Sequence, residues 1–80
     1  MILLRNSAMM KDLKIRAIGF IKSKPQAFYE YPNSYLKFCL HIGLATANML
    51  IEDLVNEGVL ESSTDSEGMQ HYRLKEIVSL

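Results

Sequence analysis

The sequence predicts a mainly α domain of the α+β class, with one small β-hairpin near its C-terminal end. Three observations predict this class. Apolar residues recur at three- and four-residue steps through two long segments, which is the spacing of one helix face. Gly43 and Gly58 stand where short connections and helix ends favour glycine. After Gly58, two short β-type segments flank a polar stretch at 62–68, as in a hairpin.

A first helix is expected over residues 8–23, with Ser7 as its N-cap. Pro25 ends it, because proline disfavours helical conformation in the residue before it. Ile15 and Ile18 lie beside the main apolar stripe, so either the core wraps around this helix or a partner covers them. The stripe itself consists of Met10, Leu13, Ala17, Phe20 and Ile21.

The next segment, residues 26–31, is predicted to be a short strand because it is rich in aromatic side chains. A second helix is expected over 34–40, burying Leu36 and Leu40. A tight connection follows at 41–43, in which Gly43 is expected to supply a positive φ.

A third helix is predicted over residues 44–56, ended by Gly58. Its buried face is formed by Ala47, Leu50, Ile51 and Leu54. A strand starting at Val59, a polar turn at 62–68 and a returning strand at 70–74 complete the order of elements. Three helices plus a hairpin in this order are the plan of a winged helix-turn-helix. We therefore divide the chain into a tail (1–7), a domain (8–75) and a second tail (76–80).

The net charge of the chain is zero, but its two halves have opposite signs. Residues 1–40 carry seven basic and two acidic side chains, a net charge of +5, and residues 41–80 carry two basic and seven acidic ones, a net charge of −5. Three interpretations follow: an anionic partner at the first half, antiparallel or head-to-tail self-association, or solvated faces without a partner.

No catalytic, metal or cofactor site is expected. Cys39 is the single cysteine, and its spacing from His41 places the two on different helix faces. His71 is expected to be a surface or cross-strand residue of the returning strand. No apolar run is long enough to cross a membrane and the first residues are too short for a signal peptide, so a cytoplasmic protein without a membrane or small-molecule partner is expected.

Residues 34–58 match the pattern S-L-L-Q-R-R-F-R-I-G-Y-N-R-A-A-R-L-I-E-Q-L-E-x-x-G at ten positions. With this pattern, the chain resembles the C-terminal gamma domain of FtsK-type DNA translocases over most of residues 13–60. The resemblance implies a winged helix that reads DNA. The matching positions are Ser34, Leu36, Ile42, Gly43, Ala47, Leu50, Ile51, Glu52, Leu54 and Gly58.

The chain departs from that pattern where the family has arginines and an asparagine. Phe38 and Cys39 replace an Arg-Arg pair, and His41 and Met49 replace single arginines. Ala45-Thr46 replaces Asn-Arg at the start of the third helix. Base readout commonly uses Arg, Lys, Asn or Gln, so little of the family's reading surface is carried over.

The first functional hypothesis is a small module that binds double-stranded DNA, as a transcriptional or DNA-processing regulator. The third helix would enter the major groove. The residues expected to contact DNA there and at its flanks are Lys37, His41, Ala45, Thr46, Asn48, Met49, Glu52 and Arg73. Auxiliary phosphate contacts are expected from Lys11, Lys14, Lys22 and Lys24.

The alternative is a winged helix used for contact with a protein partner or for homodimerisation. The acidic side chains of the third helix and the wing favour it, because they would repel phosphates. They are Glu52, Asp53, Glu61, Asp65 and Glu67. The expected contact residues are Ile15, Ile18, Phe38 and Met49.

Overall fold

The computed structural model describes residues 8–75, and this part of the chain forms four helices followed by an antiparallel two-stranded hairpin. The predicted tails and the N-cap at Ser7 lie outside the described residues. The elements are α1 (Ala8–Ser23), α2 (Pro25–Glu30), α3 (Pro32–Leu40), α4 (Leu44–Asn56), β1 (Leu60–Thr64) and β2 (Gln70–Leu74).

The two long helices and the returning strand have the bounds predicted from their periodicity. The predicted apolar stripes form most of the core, with Phe20 the one stripe residue of α1 that is only half-buried. Leu36 and Leu40 of α3 are buried as expected. The other buried apolar residues of the core are Met10, Leu13, Ala17, Ile21, Phe28, Ala47, Leu50, Ile51, Leu54 and Leu60.

The strand predicted over residues 26–31 is wrong, because this segment is the helix α2. Pro25 stands at the start of α2, where its fixed φ and missing N–H suit the first helical turn. Pro32 does the same for α3, which therefore begins two residues before the predicted start at Ser34. Helical geometry buries Phe28 against Tyr35 and Tyr72, and this packing outweighs the β-propensity of the aromatic residues. The described residues thus contain four helices rather than three.

The connection between α3 and α4 is three residues long, but its left-handed residue is His41 and not Gly43. His41 has φ 53° and ψ 49° and ends α3, with its N–H donating to the Lys37 carbonyl. Gly43 is extended, with φ −73° and ψ 161°, and precedes α4 as its N-cap. The expectation of a positive φ at Gly43 is therefore wrong, whereas Gly58 after α4 does have one, at 78°.

The first strand of the hairpin extends further into the predicted turn than expected, so the turn is shorter. Residues 62–64 belong to β1, and its pairing with β2 runs from Leu60 opposite Leu74 to Thr64 opposite Gln70. Apart from Leu60, the residues of β1 are exposed, so this part of the strand needs no apolar side chains. The Asp65 carboxylate organises the turn, since its Oδ1 accepts hydrogen bonds from the Glu67 N–H (2.9 Å) and the Met69 N–H (3.0 Å).

The helices α3 and α4 bend by 114° at their connection. The core lies between them and α1, while α2 packs along β2. Within residues 8–75, no single helix is long and apolar enough to span a membrane; α3 and α4 together meet this criterion by length and composition only.

Candidate functional site

The exposed face of α4 contains three of the eight residues that the sequence assigns to DNA contact by the third helix and its flanks. Ala45, Asn48 and Glu52 are exposed, and their three- and four-residue spacing places them on one side of the helix. Met49 is half-buried beside them and packs partly against the core. Thr46 is also half-buried and lies to one side of this face. The face has one negative charge, at Glu52, and α4 contains no lysine or arginine.

A groove of about 390 Å³ lies between this face and the hairpin. Two pairs of side chains order its walls: the Asn33 Nδ2 donates to Asn48 Oδ1, and the Tyr72 hydroxyl donates to Gln70 Oε1 (2.7 Å). Amide, hydroxyl and carboxylate groups are the recognition chemistry available there. The lining residues are Asn33, Asn48, Ile51, Glu52, Val55, Ser62, Gln70 and Tyr72.

A second concave surface lies on the outer side of α3, directly before the connection to α4. Lys37 and His41 line it together with Phe38, whose side chain is 79% exposed. Two of the residues predicted to contact DNA, Lys37 and His41, thus lie beside an apolar ring. This surface can offer positive charge and apolar area together.

Lys14 does not have the exposed position that a phosphate contact requires. Its Nζ lies 2.5 Å from Glu57 Oε2 and 3.7 Å from Asp53 Oδ2, and its side chain is 13% exposed. The surroundings of Lys14 therefore do not favour the predicted phosphate contact, because α1 packs here against the acidic end of α4 and Lys14 pairs with two carboxylates there. Lys11, Lys22 and Lys24 are exposed.

Asp53 must also be removed from the set of acidic side chains that would repel phosphates at the third helix. Its side chain is 7% exposed and faces Lys14, not the groove. Glu52 remains as the acidic residue of α4 that lines the groove.

The hairpin holds a cluster of contacts around Tyr29 that the sequence analysis missed. The His71 ring stacks on the Tyr29 ring with centroids 4.4 Å apart, and the Arg73 guanidinium lies 4.3 Å from the Tyr29 centroid. Arg73 remains exposed, as its predicted role at the DNA flank requires. The alternation of side chains along β2 could have indicated this cluster, because it places His71 and Arg73 on one side of the strand. The register then places Asp65 just beyond the end of β1.

Both ring nitrogens of His71 have oxygen partners. Nδ1 lies 2.8 Å from the Tyr29 carbonyl oxygen and Nε2 lies 2.7 Å from Asp65 Oδ2. The hydrogen bond to Asp65, followed by that to Tyr29, raises the pKa of His71 above its usual value. The same bond from His71, followed by that from the Met69 N–H, lowers the pKa of Asp65.

The four residues proposed for a protein interface differ in exposure. Ile15 is 70% exposed on α1, and Phe38 lies on α3. Ile18 and Met49 pack partly against the core, so they offer little apolar area. Ile15 and Phe38 are therefore the members of this set that a partner could cover.

Tyr35 and Cys39 lie close together on α3, and Tyr35 makes a hydrogen bond to the backbone of α1. The Tyr35 hydroxyl donates to the Phe20 carbonyl (2.7 Å), and burial, followed by the nearby Cys39 thiol, raises the pKa of Tyr35. Over residues 8–75, no group of three His, Cys, Asp or Glu side chains comes close enough to hold a metal ion.

Comparison with protein-family models, curated proteins and solved structures finds no match to this chain. The contacts, exposure and charges of the described residues are therefore the basis on which a function is proposed.

Proposed function

We propose that residues 8–75 act as a winged helix-turn-helix module that binds double-stranded DNA through the exposed face of α4. The observation that carries this proposal is the pairing of α3 with α4. They are joined by three residues, bend by 114°, and leave the face with Ala45, Asn48 and Glu52 exposed beside the hairpin. Helix-turn-helix pairs have angles of about 90–120°, and the major groove accommodates one α-helix.

The charges around α4 support weak, shape-dependent binding rather than tight electrostatic binding. The exposed cations closest in sequence to α4 and on the returning strand are Lys37 and Arg73, with His41 between α3 and α4. Each neutralised phosphate makes the slope of log K against log salt concentration more negative by about 0.9. Two such cations predict a slope of only about −2.

The side chains of the α4 face favour contacts with bases other than guanine. Asn48 can donate to and accept from the major-groove edge of adenine, and Glu52 can accept from the amino group of cytosine. Guanine is most often read by arginine or lysine, which α4 does not contain. Binding by Asn48 would require its Oδ1 to leave the Asn33 amide.

A pair of charge reversals tests whether α4 faces the DNA. Glu52→Lys and Asp12→Lys change the net charge equally, but Glu52 lines the groove and Asp12 is exposed on α1. At about 50 mM salt, Glu52→Lys should strengthen binding to a duplex by about tenfold through one further phosphate contact, and Asp12→Lys by much less. Equal strengthening by both variants would show that only net charge matters and would remove α4 from the interface.

A second candidate function, contact with a protein, is favoured by the exposure of Phe38. Phe38 is 79% exposed between Lys37 and His41, and aromatic residues are enriched in protein interfaces. In the homodimer version of this candidate, the acidic second half of one copy would meet this surface of another. Sedimentation at increasing concentration should then show a dimer that Phe38→Ser weakens. A monomer at all concentrations excludes the homodimer.

A further inference from the structure

The hairpin contacts α2 through the packing of half-buried Tyr72 on buried Phe28, and through the Tyr29 ring and the two residues that meet it. His71 and Arg73 stand two residues apart on β2, so both side chains lie on the same side of the strand. They meet the Tyr29 ring, His71 by stacking and Arg73 through its guanidinium group. The Tyr29 carbonyl is also bonded to His71, so the ring and the backbone of α2 both contact β2.

The two partners of His71 determine which form of the imidazole fits. A carbonyl oxygen and a carboxylate oxygen can only accept hydrogen bonds. Neutral imidazole has a single N–H and would present a lone pair to one of these oxygens, whereas imidazolium donates to both. The observed distances, 2.8 Å to Tyr29 O and 2.7 Å to Asp65 Oδ2, therefore fit the protonated form.

With one exception, the charged groups around His71 stabilise its protonated form. Asp65 in the turn and Glu30 at the end of α2 both stabilise a positive charge on the ring. Arg73 opposes it from its own contact with the Tyr29 ring, and Glu61 lies opposite Arg73 in the register of the hairpin. Ser63, the partner of His71 on β1, is uncharged.

We propose that the proton on His71 fastens the hairpin to α2: the hairpin is clamped while His71 is an imidazolium and loosens when the ring becomes neutral. This inference concerns the free protein and does not depend on DNA binding.

The pH range of the clamp follows from the two groups. Because the pKa of His71 is raised, its contribution is complete below about pH 6.5 and is lost as the pH rises through the raised value. Because the pKa of Asp65 is lowered, its contribution is complete above about pH 3.9 and is lost as the pH falls through the lowered value. The clamp is therefore strongest between about pH 4 and pH 6.5.

Loosening the clamp would affect the groove beside α4. Gln70 and Tyr72 flank His71 on β2 and line that groove with Asn48 and Glu52. Leu60 is buried and Leu74 half-buried at the base of the hairpin, so the base stays anchored while the tip gains freedom. The geometry of the groove would thereby respond to pH.

NMR of ¹³C-labelled histidine in the free protein tests the proposal directly. His71 should titrate above about pH 6.5, and the contact between the Tyr29 and His71 rings, seen as a nuclear Overhauser effect, should weaken over the same pH interval. Asp65→Asn removes the charge but keeps the oxygen that accepts the two turn amides. This variant should lower the pH at which His71 titrates and at which the ring contact weakens.

His41→Asn is the matched control, because it removes the other imidazole of the described residues and asparagine tolerates the left-handed conformation of position 41. It should leave the ring contact and its pH dependence unchanged. His71→Phe keeps an aromatic ring but should abolish the pH dependence. The proposal is overturned if His71 titrates at the same pH in the wild type and Asp65→Asn, or if the ring contact is unchanged through the titration of His71.

Discussion

At the scale of single residues, the turn before α4 shows that residue type alone does not determine backbone conformation. The sequence suggests that Gly43 supplies the positive φ of this turn, but His41 adopts it and Gly43 is extended. Apart from Gly43 and its two chain neighbours, no atom of residues 8–75 lies within 4 Å of the position that a Cβ would take on Gly43. A side chain at position 43 therefore meets no strain from a left-handed backbone.

Serine substitutions at Gly43 and Gly58 should have opposite effects on stability. At Gly43, serine can cap α4 and should raise the free energy of unfolding by about 0.3 kcal/mol. At Gly58, with φ 78°, serine should lower it by about 1 kcal/mol. Urea denaturation measures both, and a Gly43→Ser variant as unstable as Gly58→Ser would contradict the observed conformation of the connection.

Lys14 is a second residue whose role depends on the fold. Sequence alone places it among the cations of the first half, whereas packing of α1 on α4 pairs it with Asp53 and Glu57. Helical spacing predicted the apolar stripe of α1, but it could not predict which neighbouring helix would approach the polar residue beside that stripe.

Replacement of Lys14 by methionine should lower the free energy of unfolding by about 2 kcal/mol, because the Asp53 carboxylate would stay buried without this ammonium group. Lys11→Met on the exposed side of the same helix is the control and should change stability by less than about 0.5 kcal/mol. Equal effects in thermal denaturation would mean that the ion pair contributes nothing.

At the scale of elements, the two long amphipathic helices were predictable, whereas the six-residue helix α2 was not. α1 and α4 each have several turns, so their periodicity identifies both the element and its buried face. α2 has six residues, fewer than two turns, and its aromatic content suits a strand equally well. Its helical form is decided by packing that the sequence does not display: Phe28 in the core and Tyr29 against β2.

Alanine substitutions in and after α2 test this account of its packing. Tyr29→Ala should lower the free energy of unfolding by about 1–2 kcal/mol, since it removes the stack with His71 and the contact with Arg73. Tyr31→Ala should lower the free energy of unfolding by less than about 0.5 kcal/mol, because Tyr31 is 67% exposed. A strand in this segment would give the same two changes in stability, so denaturation alone does not distinguish a strand from a helix. Circular dichroism should therefore accompany denaturation and show little loss of helix in Tyr31→Ala.

At the scale of the whole molecule, the opposite charges of the two halves are partly joined by folding. Lys14 neutralises acidic groups at the end of α4, and His71 pairs with Asp65 within the acidic half. Ala45, Asn48 and Glu52 share one exposed face of α4, as helical spacing requires, whereas the predicted contacts Thr46 and Met49 are half-buried. The opposing hairpin wall, with Gln70 and Tyr72, depends on tertiary packing and was not predicted.

The lysines on different sides of the molecule distinguish two DNA footprints. Lys37→Gln should reduce the magnitude of the salt slope by about 0.9, because Lys37 lies beside the connection to α4. Lys22→Gln on α1 should leave the slope unchanged. The reverse pattern would assign the phosphate contacts to α1, where Lys11, Lys22 and Lys24 are exposed.

The most direct test of the central claim is the fluorescence anisotropy of a labelled duplex pool, measured with increasing protein and then with increasing salt. We expect saturable binding at about 50 mM salt that weakens as salt rises, with a log–log slope of about −2. Absence of binding at about 50 mM salt, where electrostatic contacts are favoured, would contradict the proposal that α4 and its flanking cations bind DNA.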